Sequence, residues 1–439
     1  MKMQLGLAAV LWALPSLPAA AAPAPSRPSS KSPESVARVL ADYQSRYPQL
    51  CRLVRLGQSH EGRPVWALVL GRGLRDPDDR PAVVLNGAHH GGELLSVDVV
   101  LDAIELLLLR STPGAAGVAA DAALDRRVGR FLDEFAIWAV PMVNPDGVWA
   151  VLNDSKRSDR KNARDNNGDG RIDSRDGVDL NRNYPYRFGS LGEKGSSSSR
   201  SSDYYRGPAA ASEPEVQAMI RLADSERPAA SVSYHTGTVA ILAPYTIDGA
   251  TSPTPDEAWL VAQGISEQLP RHPQDRPFTT RRNLYPVDGT DQDYLRHQFG
   301  TLALLVESAR RPAASADERQ AIVRAVRRTW MLLLDRYLDG PAIAGRVVDA
   351  SGQPVVAEIS VDEIKTHEGE HWTTRCRDGR YDRFLPRPGS YTVRAQVPGQ
   401  PPLVQTVTVG SGRMRVDFAL PVPSAAAACP PPPSVPSAQ

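Results

Sequence analysis

His90-Gly91-Gly92-Glu93 sets an imidazole and a carboxylate three residues apart across two glycines. The turn follows the short apolar run Ala82 to Asn86 and opens the apolar stretch Leu94 to Arg110, so it reads as a link from a buried strand to a buried helix. Such a turn can aim both groups at one point, and the glycines let backbone approach closely. This is metal-ligand chemistry: a catalytic zinc needs three ligands of these types and an open position for water. His89 competes for the role, but only His90 has a glutamate three residues on.

Two further patterns suggest metals. Asp165, Asn167, Asp169, Asp173 and Asp176 stand at positions 1, 3, 5, 9 and 12 of a loop with Gly170 at position 6, an arrangement suited to calcium. Arg171 at position 7 would add its backbone carbonyl, while Asp176 replaces the usual glutamate and weakens the last ligand. His367-Glu368-Gly369-Glu370-His371 matches HExxH, whose chemistry needs both histidines on one face of a helix. Here a central glycine and flanking strand-like runs point to a hairpin loop, which is not a zinc site.

The surrounding elements alternate. Helices are expected at Ser35 to Tyr47, Leu94 to Arg110, Glu213 to Ser225, Pro255 to Gln268 and Ala316 to Tyr337. Strands are expected at Val65 to Leu70, Ala82 to Asn86, Phe135 to Val143, Ala229 to Tyr234, Val239 to Ala243 and Thr301 to Val306. The expected class is α/β, a mixed sheet flanked by helices, over residues 33–339. Past Gly340-Pro341 the pattern becomes short strands without helices, a small all-β sandwich over residues 340–420. Residues 421–439 form a Pro/Ala-rich tail expected to be disordered, and Gly195 to Ser202 is a serine-rich loop of the same character.

Lys2, the apolar stretch Leu5 to Leu17 and Ala20-Ala21-Ala22 read as a signal peptide over residues 1–22, followed by a linker over 23–32. This predicts export, to the periplasm or the medium. No stretch is long and apolar enough for a membrane span. A formal net charge of +1 gives no reason to expect nucleic acid. Three cysteines, Cys51, Cys376 and Cys429, are too few for a disulfide framework and leave at least one unpaired in a monomer.

The ordered set Ser59 to Pro64, His90 to Glu93, Asn144 to Gly147, Arg160 to Asn162, Asp179 to Asn183, Ser212 to Glu215, Ser233 to His235 and Glu307 resembles the carboxypeptidase A-like zinc metallocarboxypeptidases. The β region is similar to the transthyretin-like, or carboxypeptidase regulatory-like, domains that follow the catalytic domain in one subgroup, on Gly345 to Asp349, Gly352 to Pro354, Asp378 to Tyr381 and Pro388 to Tyr391. The resemblance implies one catalytic zinc on His90, Glu93 and His235, with Asp179 orienting a ligand imidazole. It implies Asn181 and Arg182 gripping the substrate's terminal carboxylate, Arg160 stabilising the oxyanion, and Tyr285 closing over the substrate. Glu307 would be general base towards zinc-activated water and then proton donor to the leaving amine.

Two departures bear on specificity. Gly92 stands where many relatives have arginine, and Gln292 occupies the position that often sets the pocket for the terminal side chain. With Asp248, Asp288 and Asp291 near in sequence, polar or basic terminal residues are expected. The reading is a zinc carboxypeptidase acting on peptide or protein C-termini, monomeric, with no inhibitory pro-segment evident. Rivals are a murein peptide hydrolase of the same fold and a non-catalytic peptide-binding protein.

Overall fold

The computed structural model describes residues 31–75, 78–111, 119–274 and 276–421. The expected signal peptide, most of the linker, the tail beyond Pro421 and Cys429 lie outside them. The order is α1 (Pro33–Arg46), β1 (Cys51–Gln58), β2 (Pro64–Leu70), β3 (Ala82–Gly87), α2 (Leu94–Arg110), α3 (Ala122–Glu134), β4 (Ala136–Val140), α4 (Pro145–Asn153), α5 (Pro214–Glu226), β5 (Ala230–His235), β6 (Val239–Leu242), α6 (Glu257–Gln268), β7 (Thr280–Arg281), α7 (Asp291–Phe299), β8 (Leu302–Ser308) and α8 (Ala316–Asp339).

The strands form one eight-stranded mixed sheet in the order β1-β2-β4-β3-β5-β8-β6-β7. Its centre, β4-β3-β5-β8, is parallel and buried on both faces, which is why β3, β4 and β8 are mostly apolar, while β5 carries the buried Ser231, Ser233 and His235. One face packs on α1, α2, α3, α6 and α8 through Leu40, Val100, Ile104, Phe131, Val261 and Trp330; the other packs on α5 and α7 through Val216, Leu222 and Leu295. Helix α2 is apolar nearly all round because it lies between the sheet and α8. Ser315 caps α8 by accepting the Glu318 N–H at 3.1 Å, a local signal that fixes where that helix starts.

The β region comprises β9 (Ala342–Val348), β10 (Glu358–Val361), β11 (Arg380–Phe384), β12 (Gly389–Gln396), β13 (Leu403–Val409), β14 (Arg413–Arg415) and β15 (Phe418–Ala419). One sheet is β10-β12-β13 and the other β11-β9-β14, with β15 also pairing β9. Ile343, Val347, Ile359, Tyr391, Val393 and Val416 fill the space between. A Cβ on Gly345 would lie 1.7 Å from the Val416 carbonyl oxygen, so only glycine permits β9 this approach.

The mixed sheet with flanking helices and the all-β region that follows agree with the expected class. Differences lie in elements lacking an apolar rhythm. β1, β7, α3, α4 and α7 were not among the expected elements. The serine-rich segment is an ordered, hydrogen-bonded loop: Ser197 Oγ donates to Glu193 at 2.7 Å, the Ser198 N–H donates to the same carboxylate at 2.8 Å, and Ser196 is buried against Asp288. Cys51 is a buried free thiol, its pKa pushed up to about 12 by burial, and Cys376 is disulfide-bonded.

Candidate active site

Three adjacent parallel strands deliver the site at their carboxyl ends. The chain leaves β3 through Ala88, whose φ of 53° is left-handed, and turns at once into His89 and His90. A Cβ on Gly91 would lie 2.3 Å from the Gly147 backbone, so the turn requires glycine to pass that close to α4. Asn144 locks the crossing: its Oδ1 accepts the Gly147 N–H at 2.8 Å and its Nδ2 donates to the His89 carbonyl at 3.2 Å. Asp146 in turn accepts from Ser59 Oγ at 2.7 Å and from Arg63 at 2.7 Å. The Ser59 to Pro64 and Asn144 to Gly147 motifs thus serve as each other's partners, holding the turn from behind.

Glu93 sits at the N-cap position of α2 but makes no capping bond with its side chain. Its carboxylate instead meets His90 Nδ1 at 2.8 Å and His235 Nδ1 at 3.1 Å. One ligand atom from each of His90, Glu93 and His235 lies within 4.8 Å of the others. The far ring nitrogens are anchored too. His90 Nε2 is 3.1 Å from Asp179 Oδ1, and His235 Nε2 is 3.1 Å from Ser233 Oγ, which donates to Asn86 Oδ1 at 2.9 Å. Both imidazoles therefore turn Nδ1 to the same point. His89 does not compete. It is fully buried, stacked on His235 at 5.5 Å and bonded to Tyr184 Oη at 3.0 Å, and burial brings its pKa down to about 4.

Glu307 pairs in register with His235 across β5 and β8. Burial first, then the Glu93 carboxylate, raises its pKa above the usual carboxylate range. Its Oε2 is buried and has no hydrogen-bond partner among the described residues. An unpartnered buried carboxylate beside a His–Glu–His set is the donor arrangement that fits a zinc ion and the water it activates.

A cavity of about 350 Å³ joins these groups to the other expected residues: His90, Glu93, His235, Glu307, Arg160, Asn181, Arg182, Tyr285 and Gln292 all line it. Arg160 Nε donates to Asp179 Oδ2 at 2.7 Å, so Asp179 steadies both a ligand imidazole and a cavity guanidinium. Asn181 Oδ1 accepts the Asp291 N–H at 2.8 Å, and buried Arg182 Nε has no partner among the described residues. Tyr285 is half exposed at the rim.

Residues without a motif complete the wall. Thr246 donates to Asp293 Oδ2 at 2.9 Å and accepts from Gln292 Nε2 at 3.0 Å; buried Gln292 Oε1 and Thr290 Oγ1 are left without partners among the described residues. The expected acidic charge does not reach the cavity. Asp288 is occupied by Ser196 and the Leu191 N–H, Asp291 lies under His89, and Asp248 holds Asn283, so none of the three lines it. Sequence reasoning gave no role to Ser233, Asn86, Thr246 or Thr290. Only Ser233 carried a signal, lying two residues before His235 on one face of a strand.

The other motifs assemble differently. In the acidic loop each side chain accepts from nearby backbone: Asp165 from Gly168 at 2.7 Å and Gly170 at 2.9 Å, Asn167 from Asp169 at 2.9 Å, Asp169 from Arg171 at 2.8 Å, Asp173 from Arg175 at 2.8 Å, and Asp176 from Asn166 at 3.0 Å. These residues do not form one of the metal-capable groups found among the described residues. The His367 to His371 segment is a non-helical loop whose histidines face different partners, Thr254 and Glu358.

The fold and the triad define a mixed-sheet α/β domain with a His–Glu–His cluster at its strand ends that could hold a metal ion. Residues 36–330 match the zinc carboxypeptidase family and residues 342–421 the carboxypeptidase regulatory-like domain. The chain belongs to the zinc carboxypeptidase family. It is 31% identical over 263 residues to metallocarboxypeptidase A of Trichophyton tonsurans, covering 58% of this chain and 57% of that protein, so the match spans little more than half of the fungal relative. It is 26% identical over 416 residues to the carboxypeptidase N catalytic chain of Mus musculus, covering 88% and 85%. Among solved structures, bovine thrombin-activatable fibrinolysis inhibitor aligns with a TM-score of 0.57 at 20% identity over 71% of this chain and 98% of that one. The carboxypeptidase A of Helicoverpa armigera aligns at 0.55 and 23% identity, over 70% and 73%. These two likenesses bear on the fold.

Proposed function

We propose that the chain is an exported zinc carboxypeptidase that removes single residues from the C-termini of peptides or proteins. The carrying observation is the one cavity that holds the triad, Glu307 and two guanidinium groups together. His90, Glu93 and His235 would hold the zinc, which when bound polarises a carbonyl and lowers the pKa of water. Arg182, with its free buried Nε, and Asn181 bind the terminal carboxylate, because a guanidinium matches its two oxygens. This confines hydrolysis to the last peptide bond. Arg160, kept in place by Asp179, donates to the oxygen that gains charge on the scissile carbonyl. Glu307 takes the proton of the attacking water and returns it to the departing amine, and its raised pKa suits both transfers. Tyr285 covers the bound residue from the rim.

For the terminal side chain, the unpartnered Gln292 Oε1 and Thr290 Oγ1, with Thr246 beside them, favour an uncharged hydrogen-bonding residue over a basic one. Export rests on the N-terminal leader. Calcium in the Asp165 to Asp176 loop is a separate proposal, supported by the inward turn of Asp165 Oδ1 and Oδ2 towards the Gly168 and Gly170 amides. Calcium should then raise the melting temperature of zinc-replete protein, and an unchanged value would overturn it.

The test of function is a set of peptides differing only in the last residue, each also made as a C-terminal amide, assayed with and without a zinc chelator. Free-acid peptides should lose one residue, and amides and chelated enzyme should show no turnover. Equal cleavage of amides would remove the carboxylate-gripping reading, and turnover of murein peptides alone would favour a cell-wall hydrolase. Gln292→Asp should move the preference towards Lys and Arg termini by about tenfold or more, as a new buried acid seeks a cation.

A further inference from the structure

We propose that the loop between β10 and β11 clamps the substrate cavity from the neighbouring domain, with Glu368 and Glu370 as positioning residues for its binding wall. The proposal rests on the carboxypeptidase reading for its kinetic consequence, though not for its structural one. It also gives the HExxH-like segment a use: its two glutamates serve, while its histidines do not ligate.

Three separate stretches of the catalytic domain contribute to the cavity wall around Gln292, and the loop ties down each of them. The first carries Asn181 and Arg182. A few residues on, the Tyr186 hydroxyl donates to Glu368 Oε2 at 2.9 Å and Arg187 reaches the same oxygen. The second carries Thr246. Its neighbour Tyr245 donates its hydroxyl to Glu370 Oε1 at 3.0 Å, and the Thr251 N–H donates to Glu368 Oε1 at 2.7 Å. Thr254 and Lys365 exchange two backbone hydrogen bonds of 2.9 Å, so this stretch and the loop form a short bridge between domains. The third is α7, which carries Gln292. Its His297 contacts the Glu368 carbonyl at 2.9 Å, and the Trp372 indole N–H donates to the Arg296 carbonyl at 3.1 Å.

The clamp is stiff. Glu370 Oε2 accepts the Glu368 backbone N–H at 3.0 Å, fixing the Glu370 carboxylate to the loop backbone. Tyr186 is stacked between Tyr245 at 5.2 Å and His297 at 4.4 Å, so the three stretches also pack on one another directly above the glutamates. Glu370 is buried, and a phenol donating to a carboxylate there makes a charge-assisted bond. Removing the carboxylates strands the Tyr245 and Tyr186 hydroxyls and leaves Thr246, whose position sets that of Gln292 through their 3.0 Å bond, held by Asp293 without the support of its neighbour Tyr245.

A domain contact elsewhere supplies the control. Arg377 binds Glu226, the Ser225 carbonyl and the Asp78 carbonyl at 2.7 to 2.9 Å, and none of these residues lines the cavity. In the full-length zinc-loaded protein, the double variant Glu368→Ala/Glu370→Ala should raise KM about five- to tenfold with kcat within about twofold, and flatten the preference among terminal residues. Glu370→Gln, which keeps an acceptor for Tyr245, should retain most of the preference that Glu370→Ala loses. Arg377→Ala should lower the melting temperature while leaving KM and preference alone. Hydrogen–deuterium exchange reads the clamp without turnover: amides of residues 182–187 and 245–251 should exchange faster in the double variant and not in Arg377→Ala. If the folded double variant matches Arg377→Ala in KM, preference and exchange, the clamp is wrong. If the wild type cleaves no peptide, the functional reading fails and the exchange result alone decides the clamp.

Discussion

Two clusters in the catalytic domain use the same residue types: His90, Glu93 and His235 in one, His60, Glu213 and Glu215 in the other. Both bring three ligand atoms within 4.8 Å, yet they are chemically unlike. In the first, the outer nitrogens of both imidazoles are held by Asp179 and Ser233, the inner nitrogens converge, and Glu307 stands beside them with a free oxygen. In the second, donors already fill the space a cation would take. His60 and Asn162 both lie 2.8 Å from Glu213 Oε2, Arg164 lies 3.2 Å from its Oε1, and Asn162 also donates to Glu215 at 3.2 Å. A metal centre is thus defined less by its ligands than by what orients them from behind and what is left unpaired in front.

The strongest way to break the comparison is at the free oxygen. Glu307→Gln should lower kcat by about 10³-fold with KM nearly unchanged and zinc content intact, since it removes a proton carrier and no ligand. Turnover within tenfold of wild type would move the general base elsewhere. Next comes metal content by elemental analysis. Wild type and Glu215→Gln should each hold one zinc per chain and His235→Ala none. A second equivalent lost on Glu215→Gln would make the two clusters equals.

The sequence revealed the first cluster unevenly, and the reasons are physical. His90 and Glu93 are legible because strand, turn and helix are local, each with its own apolar period. His235 and Glu307 are not, because only the register of β5 against β8 places them side by side; their roles came through resemblance. Thr246 lies in a loop with no pattern at all. Asp288 and Asp291 misled because nearness along the chain does not fix direction: α7 turns Gln292 into the cavity and Asp291 towards His89. β1 stayed hidden because Arg52 and Arg55 interrupt an edge strand, and α4 because Asn144-Pro145-Asp146-Gly147 reads as a turn when Asn144 is in fact a helix cap. α7 packs through only Tyr294, Leu295 and Phe299, and its other residues are polar, so no sustained apolar rhythm announces it.

The second cluster makes the smaller prediction, and it concerns stability. Glu213 holds the His60 imidazolium above its usual pKa despite burial. Glu215, by contrast, is desolvated with Glu213 and Asp146 nearby, and burial foremost raises its pKa to about 8. The unfolded chain releases that proton near the ordinary value of 4.5. Between those two values the native state binds the extra proton, so the contribution of Glu215 to stability is fully present below 4.5 and is lost as pH rises to about 8. Glu215→Gln cannot ionise and should escape this loss. The Glu215 charge also raises the His60 pKa, so the difference between the two proteins reports Glu215 together with its coupling to His60. The melting temperature of the variant relative to wild type should rise by roughly 5 °C between pH 5 and pH 9. A constant difference across that range would mean that Glu215 is ionised at neutral pH, as a cation in the cluster would require, and the contrast between the two sites would narrow to one of occupancy.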